Sequence, residues 1–199
     1  MEKYKGHSFH SSRFDYAYCG HDLENLHDKR VAIIGTGASA VQIIPRLGPA
    51  SKSLHVFQRT PSAIDIRDDI PTDPEWAANL KPGWQKERID KHVLSTKPDP
   101  EKRKQIEAMD RALRTQRYEN HNIEHQMRIH RRVEDLVHDP ETAEKLKPWY
   151  MHRCKRPTYD DDYLPTFNLP NVHLVDTDGK GITEITENGV VFEGTEYPV

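Results

Sequence analysis

A glycine-rich turn directly after a short apolar run is the feature that most constrains how this chain can fold. Residues 30–34, RVAII, form the kind of β-branched run found in buried parallel strands, and GTGASA at 35–40 follows at once. The turn fits the pattern G-x-G-x-x-G/A, in which Gly35 permits a tight turn, Gly37 lets a pyrophosphate approach the backbone and Ala40 keeps helix and strand close. The phosphates of a dinucleotide would lie at the amino end of the following helix. The predicted cofactor-binding residues of this turn and helix are Gly35, Thr36, Gly37, Ala38, Ser39, Ala40 and Gln42.

The residues after the turn complete a strand–helix–strand unit. Val41, Ile44 and Leu47 recur at helical spacing, although Pro45 indicates a local irregularity or an early end of the helix. SLHVFQR at 53–59 has the composition of the next strand. One βαβ unit within about thirty residues predicts an α/β fold with a Rossmann-like NADP-binding domain. A glycine-rich turn that binds nothing is the alternative.

The end of the second strand indicates which dinucleotide would bind. An acidic residue there would hold the ribose 2′-hydroxyl of NAD, whereas an arginine would accommodate the 2′-phosphate of NADP. This chain has Arg59 and Thr60 at that point and no acidic residue before Asp65. One charge-assisted contact separates NADPH from NADH by about one to two decades in affinity. NADPH is therefore the predicted cofactor, with an ordinary surface arginine as the alternative reading of Arg59.

The middle of the chain, residues 66–150, is polar and has repeated helix-start signals. Asp-Pro-Glu occurs at 73–75, 99–101 and 139–141, where the aspartate caps a helix that the proline begins. Residues 84–94 favour a further helix, so we expect four helices in an insertion of about 85 residues, which is too long for a structureless loop. The third helix should carry a narrow apolar stripe of Ile106, Met109, Leu113, Ile123 and Met127.

Strand character returns near the carboxyl end of the sequence. Residues 171–175, NVHLV, are typical of a strand. Residues 182–186 and 190–194 flank Asn188-Gly189, which predicts a β-hairpin. We expect no closing turn after this hairpin.

Composition excludes several functional classes. The 199 residues include 29 basic and 32 acidic side chains, so bulk charge favours neither nucleic acid nor an anionic membrane as a partner. No apolar run approaches the roughly 20 residues that span a bilayer, and the amino-terminal residues are too polar for a signal peptide. Cys19 and Cys154 are too distant in sequence to indicate a disulfide framework. We expect a cytoplasmic protein.

One local pattern resembles a metal site. His121, Glu124 and His125 match H-x-x-E-H, in which two imidazoles on one helix face bind zinc and the glutamate activates water. The surrounding residues are very polar, and no third ligand follows. We therefore read the pattern as coincidence and predict no metal, leaving a zinc hydrolase as the remote alternative.

The first fifteen residues carry a second motif. Tyr4, Gly6, His10, Phe14 and Asp15 follow an aromatic-x-Gly-x3-His-x3-aromatic-Asp pattern just upstream of the βαβ unit. This segment resembles the fingerprint of class I Baeyer–Villiger monooxygenases, F-x-G-x-x-x-H-x-x-x-W-P/D, with tyrosine for the first aromatic and phenylalanine for the second. In that family the fingerprint lies on the linker between the FAD and NADPH domains. His10 would then belong to an interdomain hinge; a buried histidine satisfied by the backbone is the alternative.

Two further segments extend the resemblance over nearly the whole chain. QRTP at 58–61 is similar to the family's segment for the 2′-phosphate, and residues 154–176 resemble the segment where the chain re-enters the NADPH domain. The resemblance implies a truncated flavoprotein of the type with two dinucleotide-binding domains. The expected parts are a fingerprint linker (1–27), the first part of the NADPH-binding domain (28–65), a helical insertion (66–150) and the returning strands and hairpin (151–199).

The resemblance also implies cofactors and residue roles. Lys155 would join Arg59 and Thr60 around the 2′-phosphate of NADPH, and Arg156 would be the catalytic arginine over FAD. In the family, NADPH reduces FAD, which activates O2 for attack on a ketone to give an ester or lactone. The FAD site lies mostly outside this sequence. We therefore expect a piece that is inactive alone and needs an FAD domain in cis or in trans.

Two other functions stay open. The chain could be an NADP(H)-binding module without redox activity of its own. It could also belong to an N- or S-oxidising flavin monooxygenase, although Phe14-Asp15 counts against that reading because those relatives lack this tail.

Overall fold

A computed structural model describes residues 3–96, 99–152 and 154–199. Its helices are α1 Tyr16–Cys19, α2 Ala38–Ala50, α3 Pro74–Ala78, α4 Trp84–Thr96, α5 Pro100–Ala108, α6 Arg111–Leu136, α7 Pro140–Leu146 and α8 Tyr163–Thr166. Its strands are β1 Arg30–Ile34, β2 Ser53–Gln58, β3 Ile64–Asp65, β4 Thr158–Tyr159, β5 Val172–Asp176, β6 Glu184–Ile185, β7 Gly189–Phe192 and β8 Thr195–Pro198. The predicted α/β class is confirmed.

A parallel three-stranded sheet in the order β1-β2-β5 organises the first compact unit, residues 1–68 and 124–199. β2 is central, with Ile34 of β1 opposite Phe57, and Gln58 opposite Asp176 of β5. Parallel pairing brings the carboxyl ends of β1 and β2 to one edge, where the glycine-rich turn follows β1. The predicted strand–turn–helix–strand unit is thus confirmed.

Helix α2 continues through both of its prolines. Pro45 does not end the helix early, because the helix extends past Pro49 to Ala50, where Ser51 is the carboxyl cap. The Ser51 hydroxyl donates to the carbonyl of Leu47 at 2.8 Å and satisfies an acceptor at the helix end. Packing of the apolar face outweighs the local cost of the prolines.

Both faces of the parallel sheet are covered. Leu54 and Val56 of β2 face a core shared with Ile44 of α2, and all three are fully buried. This core also includes side chains from the end of α6, from α7 and from α8. Phe57 alternates to the other face and packs with Val190 of the antiparallel β6-β7-β8 sheet. Packing on two faces explains the continuous apolar run of β1, where Val31 and Ile33 contact one core and Ala32 contacts the other.

The carboxyl-terminal sheet has a turn that the sequence did not predict. The first hairpin, β6 to β7, forms around Asn188 as expected, with Ile185 opposite Val190. β7 ends at Phe192, however, and Glu193 and Gly194 form a second tight turn that leads into β8. Their φ angles are +47° and +79°, the left-handed pair that suits a two-residue hairpin. The expectation of a strand through 194 with no closing turn was therefore wrong.

The second compact unit, residues 69–123, is helical. Asp73, Asp99 and Asp139 each cap the helix that starts at the following proline, as the Asp-Pro-Glu pattern predicted. The expected long third helix is instead two helices, because Met109 is extended and Asp110 accepts from the amide of Ala112 to start α6. The predicted insertion of 66–150 is divided between the two units, since residues 124–150 belong to the first.

The predicted apolar stripe does not form a core. Ile106, Leu113, Ile123 and Met127 are exposed by 44 to 58%. The buried apolar residues of α6 lie later, at Ile129 and Val133. Apolar side chains four residues apart do pack on one face of α6, but they are Ile129 and Val133, so the prediction placed the packed stretch too early in the chain.

Candidate nucleotide-binding site

The two glycines of the glycine-rich turn have different backbone conformations. Gly35 has φ of +103°, a left-handed conformation that favours glycine, and its amide donates to the carbonyl of Phe57 at 2.8 Å. Gly37 is the amino cap of α2 with an ordinary φ of −75°. A Cβ built at either glycine would meet no protein atom within 4 Å. Gly37 caps α2, a role that glycine fills better than alanine, and the open space at its Cα would also admit a ligand close to the backbone.

The exposed side of the turn presents backbone donors. Gly37, Ala38 and Ser39 are exposed at the amino end of α2, and no side chain of the described residues caps this end. The free amides and the helix dipole favour an anion here. Ala40 is buried in the core, and Gln42 is exposed with its amide donating to the carbonyl of Ala38 at 2.9 Å.

The glycine-rich turn is fastened to the loop after β2. Thr36 is buried, and its hydroxyl donates to the carbonyl of Thr60 at 2.8 Å. The hydroxyl of Ser62 donates to the carbonyl of Thr36 in return. The hydroxyl and the carbonyl of Thr36 therefore hold the two loops together.

Arg59 follows β2 directly, beyond the fully buried Gln58. The amide of Gln58 donates to the carbonyl of Lys145 at 2.7 Å, which ties the end of β2 to α7. Arg59 itself is exposed, as is Arg156. Across residues 3–96, 99–152 and 154–199, neither guanidinium forms an ion pair or hydrogen bond. Both are cations that the fold leaves available to an anionic ligand.

Lys155 and Arg156 reach the site through a second pair of parallel strands. β3 pairs with β4, and Ile64 lies opposite Thr158. Because the two strands run in the same direction, Ala63 and Pro157, which directly precede them, lie at the same end of the pair. The ammonium of Lys155 is 5.5 Å from the ring centroid of Tyr150. The segment of Lys155 and Arg156 therefore leads into β4 at the same end of the pair at which the segment of Arg59 and Thr60 leads into β3.

An ion pair that sequence reasoning missed braces β3. Arg128 of α6 forms two hydrogen bonds to the carboxylate of Asp65, and one of its nitrogens lies 3.0 Å from Nδ1 of His125. Burial alone would raise the pKa of Asp65, but the bonds and charge of Arg128 outweigh it and hold that pKa below its ordinary value. Asp65 is therefore engaged within the protein rather than presented to a ribose.

The fingerprint residues form a local structure at the start of the first unit. Asp15 caps α1 by accepting from the amide of Tyr18 at 3.1 Å, and its other oxygen lies 3.0 Å from His7 Nε2. Phe14 packs edge-on against Phe9, and both contact the main core. This segment is thus folded on the first compact unit.

The other fingerprint residues also have structural contacts. Nδ1 of His10 caps a short 3-10 turn by accepting from the amide of Ser12 at 3.1 Å. His10 is exposed, so the alternative of a buried histidine is wrong. The hydroxyl of Tyr4 donates to the carbonyl of Val199 at 2.8 Å, and a side chain at Gly6 would collide with the ring of Tyr4. These contacts join the fingerprint to the carboxyl-terminal sheet.

The histidine pattern on α6 has no metal-site geometry around it. Among the described residues, no three His, Cys, Asp or Glu side chains form a group that could hold a metal ion. The ring of His125 instead packs on His152, with centroids 3.7 Å apart. Cys19 is buried and Cys154 exposed, and both are free thiols.

Sequence reasoning missed the residues that join the loops. Tyr150 accepts the amide hydrogen of Ala63 at 3.0 Å, and Gln126 donates to the carbonyl of Tyr150 at 2.8 Å. These contacts link residues more than twenty positions apart, and no short motif marks them. The one feature of the sequence that could have indicated them is the aromatic residue Tyr150, five positions before Lys155.

No helix within the described residues combines the length and the apolar character that crossing a membrane requires.

Comparison with known proteins gives concordant results. Over its full length the chain is 44% identical to neopentalenolactone D synthase of Streptomyces avermitilis, covering 37% of that protein. It is 43% identical over 99% of its length to a Baeyer–Villiger monooxygenase of Stachybotrys chlorohalonatus, covering 35% of it. No protein-family model matches the chain. The chain thus spans little more than a third of the curated relatives it matches.

Solved structures of monooxygenases also match the whole of this chain with only part of their own length. A polycyclic ketone monooxygenase of Thermothelomyces thermophila superimposes with a TM-score of 0.81 at 38% identity, over all of this chain and 37% of that one. The crystal structure of OTEMO in complex with FAD and NADP superimposes with a TM-score of 0.76 at 28% identity, over all of this chain and 41% of that one.

Proposed function

We propose that this chain, which belongs to the Baeyer–Villiger monooxygenase family as its sequence predicted, is the NADPH-binding part of such an enzyme. The observation that carries the proposal is Gly37. It has an ordinary φ, and open space lies where a side chain would be, at the uncapped amino end of α2. A glycine is needed there if a pyrophosphate lies against the backbone.

The residues around the turn fit a dinucleotide. Amides of Gly37, Ala38 and Ser39 would donate to the pyrophosphate, and the dipole of α2 would favour its charge. Thr36 would hold the turn in place through its hydrogen bond to Thr60. Close contact of a phosphate with backbone requires the absence of a Cβ at 37, which the structure provides.

Arg59 and Lys155 would select NADPH over NADH. Both side chains are exposed, and Arg59 follows the strand whose end meets the ribose in folds of this type. The hydrogen bond from Thr36 to Thr60 fastens the loop of Arg59 and Thr60 to the glycine-rich turn, so the loop lies at the carboxyl edge of β1 and β2, where that turn lies. Bound to a 2′-phosphate, a guanidinium supplies two parallel donors and an ammonium a point charge.

The whole protein would catalyse a Baeyer–Villiger oxidation, in which one oxygen of O2 is inserted beside a ketone carbonyl to give an ester or lactone. NADPH supplies the hydride and FAD the oxygen-activating centre when both are bound. The FAD site and most of the ketone pocket would come from further polypeptide, in cis or in trans. Arg156 would be the catalytic arginine, because its unpaired guanidinium can stabilise negative charge that develops on the reacting oxygens.

Calorimetry with NADP+ and NAD+ tests the proposal on the purified chain. NADP+ should bind at least about tenfold more tightly than NAD+, and Arg59→Ala and Lys155→Ala should each remove most of that preference. Arg46→Ala is the matched control, since Arg46 is an exposed arginine of α2 beyond its amino end. A folded chain that binds neither nucleotide, or binds both equally, would refute NADPH recognition by these residues.

A further inference from the structure

We propose that Tyr150 is a positioning residue for nucleotide selectivity, whose aromatic ring holds Lys155 beside the Arg59 loop. The inference rests on the proposed function, because it concerns how the same 2′-phosphate site is built. Three contacts carry it. They link Tyr150 to the β2–β3 loop, to α6 and to Lys155.

The hydroxyl of Tyr150 is anchored at the β2–β3 loop. It accepts the amide hydrogen of Ala63 at 3.0 Å. The carbonyl of Ala63 in turn accepts the backbone amide of Thr158 at 3.1 Å and its hydroxyl at 2.9 Å. One residue of the Arg59 loop is thus bonded on one side to Tyr150 and on the other to β4. Backbone groups that are paired on both sides in this way resist movement.

The backbone around Tyr150 is fixed to α6. Gln126 donates to the carbonyl of Tyr150 at 2.8 Å, and Nε2 of His130 lies 2.8 Å from the carbonyl of Pro148. The two side chains lie one turn apart on the helix, so they hold residues 148–150 at two points. Tyr150 is half-buried, whereas its neighbour Trp149 is 72% exposed.

The ring of Tyr150 faces the charge of Lys155. The ammonium is 5.5 Å from the ring centroid, within the range of a cation–π contact. Lys155 is exposed, and a free lysine side chain would sample many rotamers. The ring restricts that sampling and keeps the ammonium next to the segment that carries Arg59. Tyr150 has no charge to give a phosphate, so its effect passes through Lys155.

The test compares three variants by their affinities for NADP+ and NAD+. Tyr150→Leu removes the ring, and we expect NADP+ to bind about two- to fivefold more weakly while NAD+ is unchanged. Tyr150→Phe keeps the ring but loses the hydroxyl bond to Ala63, so it should lose less of the NADP+ preference than Tyr150→Leu. Tyr159→Leu is the control, because Tyr159 is an exposed tyrosine nearby on β4 and should leave both affinities unchanged.

A double variant isolates the coupling. In a Lys155→Ala background, Tyr150→Leu should have no further effect on the NADP+ to NAD+ ratio. Should Tyr150→Leu fail to fold, Tyr150→Met replaces it, since an unbranched side chain fills much of the same volume without a ring.

The outcomes separate the two proposals. If the wild type prefers NADP+ but Tyr150→Leu keeps that preference, the positioning role is wrong and the NADPH site stands. Equal weakening of both nucleotides, or an equal loss in the leucine and phenylalanine variants, also overturns it. If the wild type has no preference, both proposals fail.

Discussion

Replacing Gly37 with alanine should separate nucleotide binding from folding. The backbone at 37 has φ of −75° and the new methyl would meet no atom within 4 Å, so neither strain nor collision destabilises the fold. Alanine restricts the unfolded chain, which stabilises by about 0.4–1 kcal/mol. It is a poorer helix cap than glycine, which costs about 1 kcal/mol or less. The two effects nearly cancel, and the melting temperature should change by less than about 4 °C.

Binding should respond very differently. The methyl would occupy the space into which the pyrophosphate approaches and displace it from the amides of α2. Losing hydrogen bonds to a charged group costs about 1.5–3 kcal/mol, which weakens NADP+ by about ten- to a hundredfold. Calorimetry and thermal unfolding of the same sample measure both quantities. A Gly37→Ala chain that binds NADP+ as tightly as the wild type would refute the reasoning.

Gly48→Ala is the matched control for this experiment. Gly48 also lies in α2, but a Cβ there would be 2.7 Å from the side chain of Thr166 and 3.2 Å from that of Leu169. The substitution should lower the melting temperature, because the packed side chains must move. At a temperature where the variant remains folded, NADP+ affinity should be unchanged. Gly37→Ala should thus weaken binding with little effect on stability, whereas Gly48→Ala should lower stability with little effect on binding.

Three further changes test the packing and electrostatics of the fold. Ile44→Ala empties a fully buried position and should lower the free energy of unfolding by about 2–5 kcal/mol, measured by urea denaturation. Burial lowers the pKa of His55, and the charges of His173 and Arg30 lower it further. The contribution of His55 to stability should therefore be full above the ordinary histidine pKa of 6.5 and should fall as the pH drops below it. His55→Phe should flatten that part of the profile of melting temperature against pH. Arg128→Ala leaves Asp65 half-buried without its partner and should cost about 1–3 kcal/mol at neutral pH. Because Arg128 depresses the pKa of Asp65, its stabilisation is lost only as pH falls below the ordinary 3.8, so the variant should also unfold at a higher pH in an acid titration.

Local signals predicted the strand–turn–helix unit accurately. RVAII is bounded by polar residues and by Gly35, and the strand has those same bounds. The Asp-Pro-Glu starts were correct because capping involves neighbouring residues only, as when Asp139 accepts from the amide of Thr142. Errors arose where tertiary context decides. Glu193 adopts a left-handed conformation that its own chemistry does not favour, and Gly194 beside it was the one available signal.

The candidate site was predictable in its motifs but not in its connections. The sequence identifies Arg59 and Lys155 as possible ligands of one phosphate, yet they lie almost a hundred positions apart. The bonds that unite their segments run through Thr36 and Tyr150, whose partners are backbone groups. Because every residue has a backbone carbonyl and nearly every residue a backbone amide, a bond to the backbone leaves no recognisable pattern in the sequence.

Phosphorus NMR of NADP+ bound to the chain tests the central claim most directly, because it resolves the pyrophosphate and the 2′-phosphate separately. We predict that both signals shift on binding and that the 2′-phosphate no longer titrates as in the free nucleotide. Arg59→Ala should restore the free behaviour of the 2′-phosphate alone, whereas with Gly37→Ala both shifts should appear only at a concentration about ten- to a hundredfold higher. A 2′-phosphate that titrates freely in the wild-type complex would contradict the account.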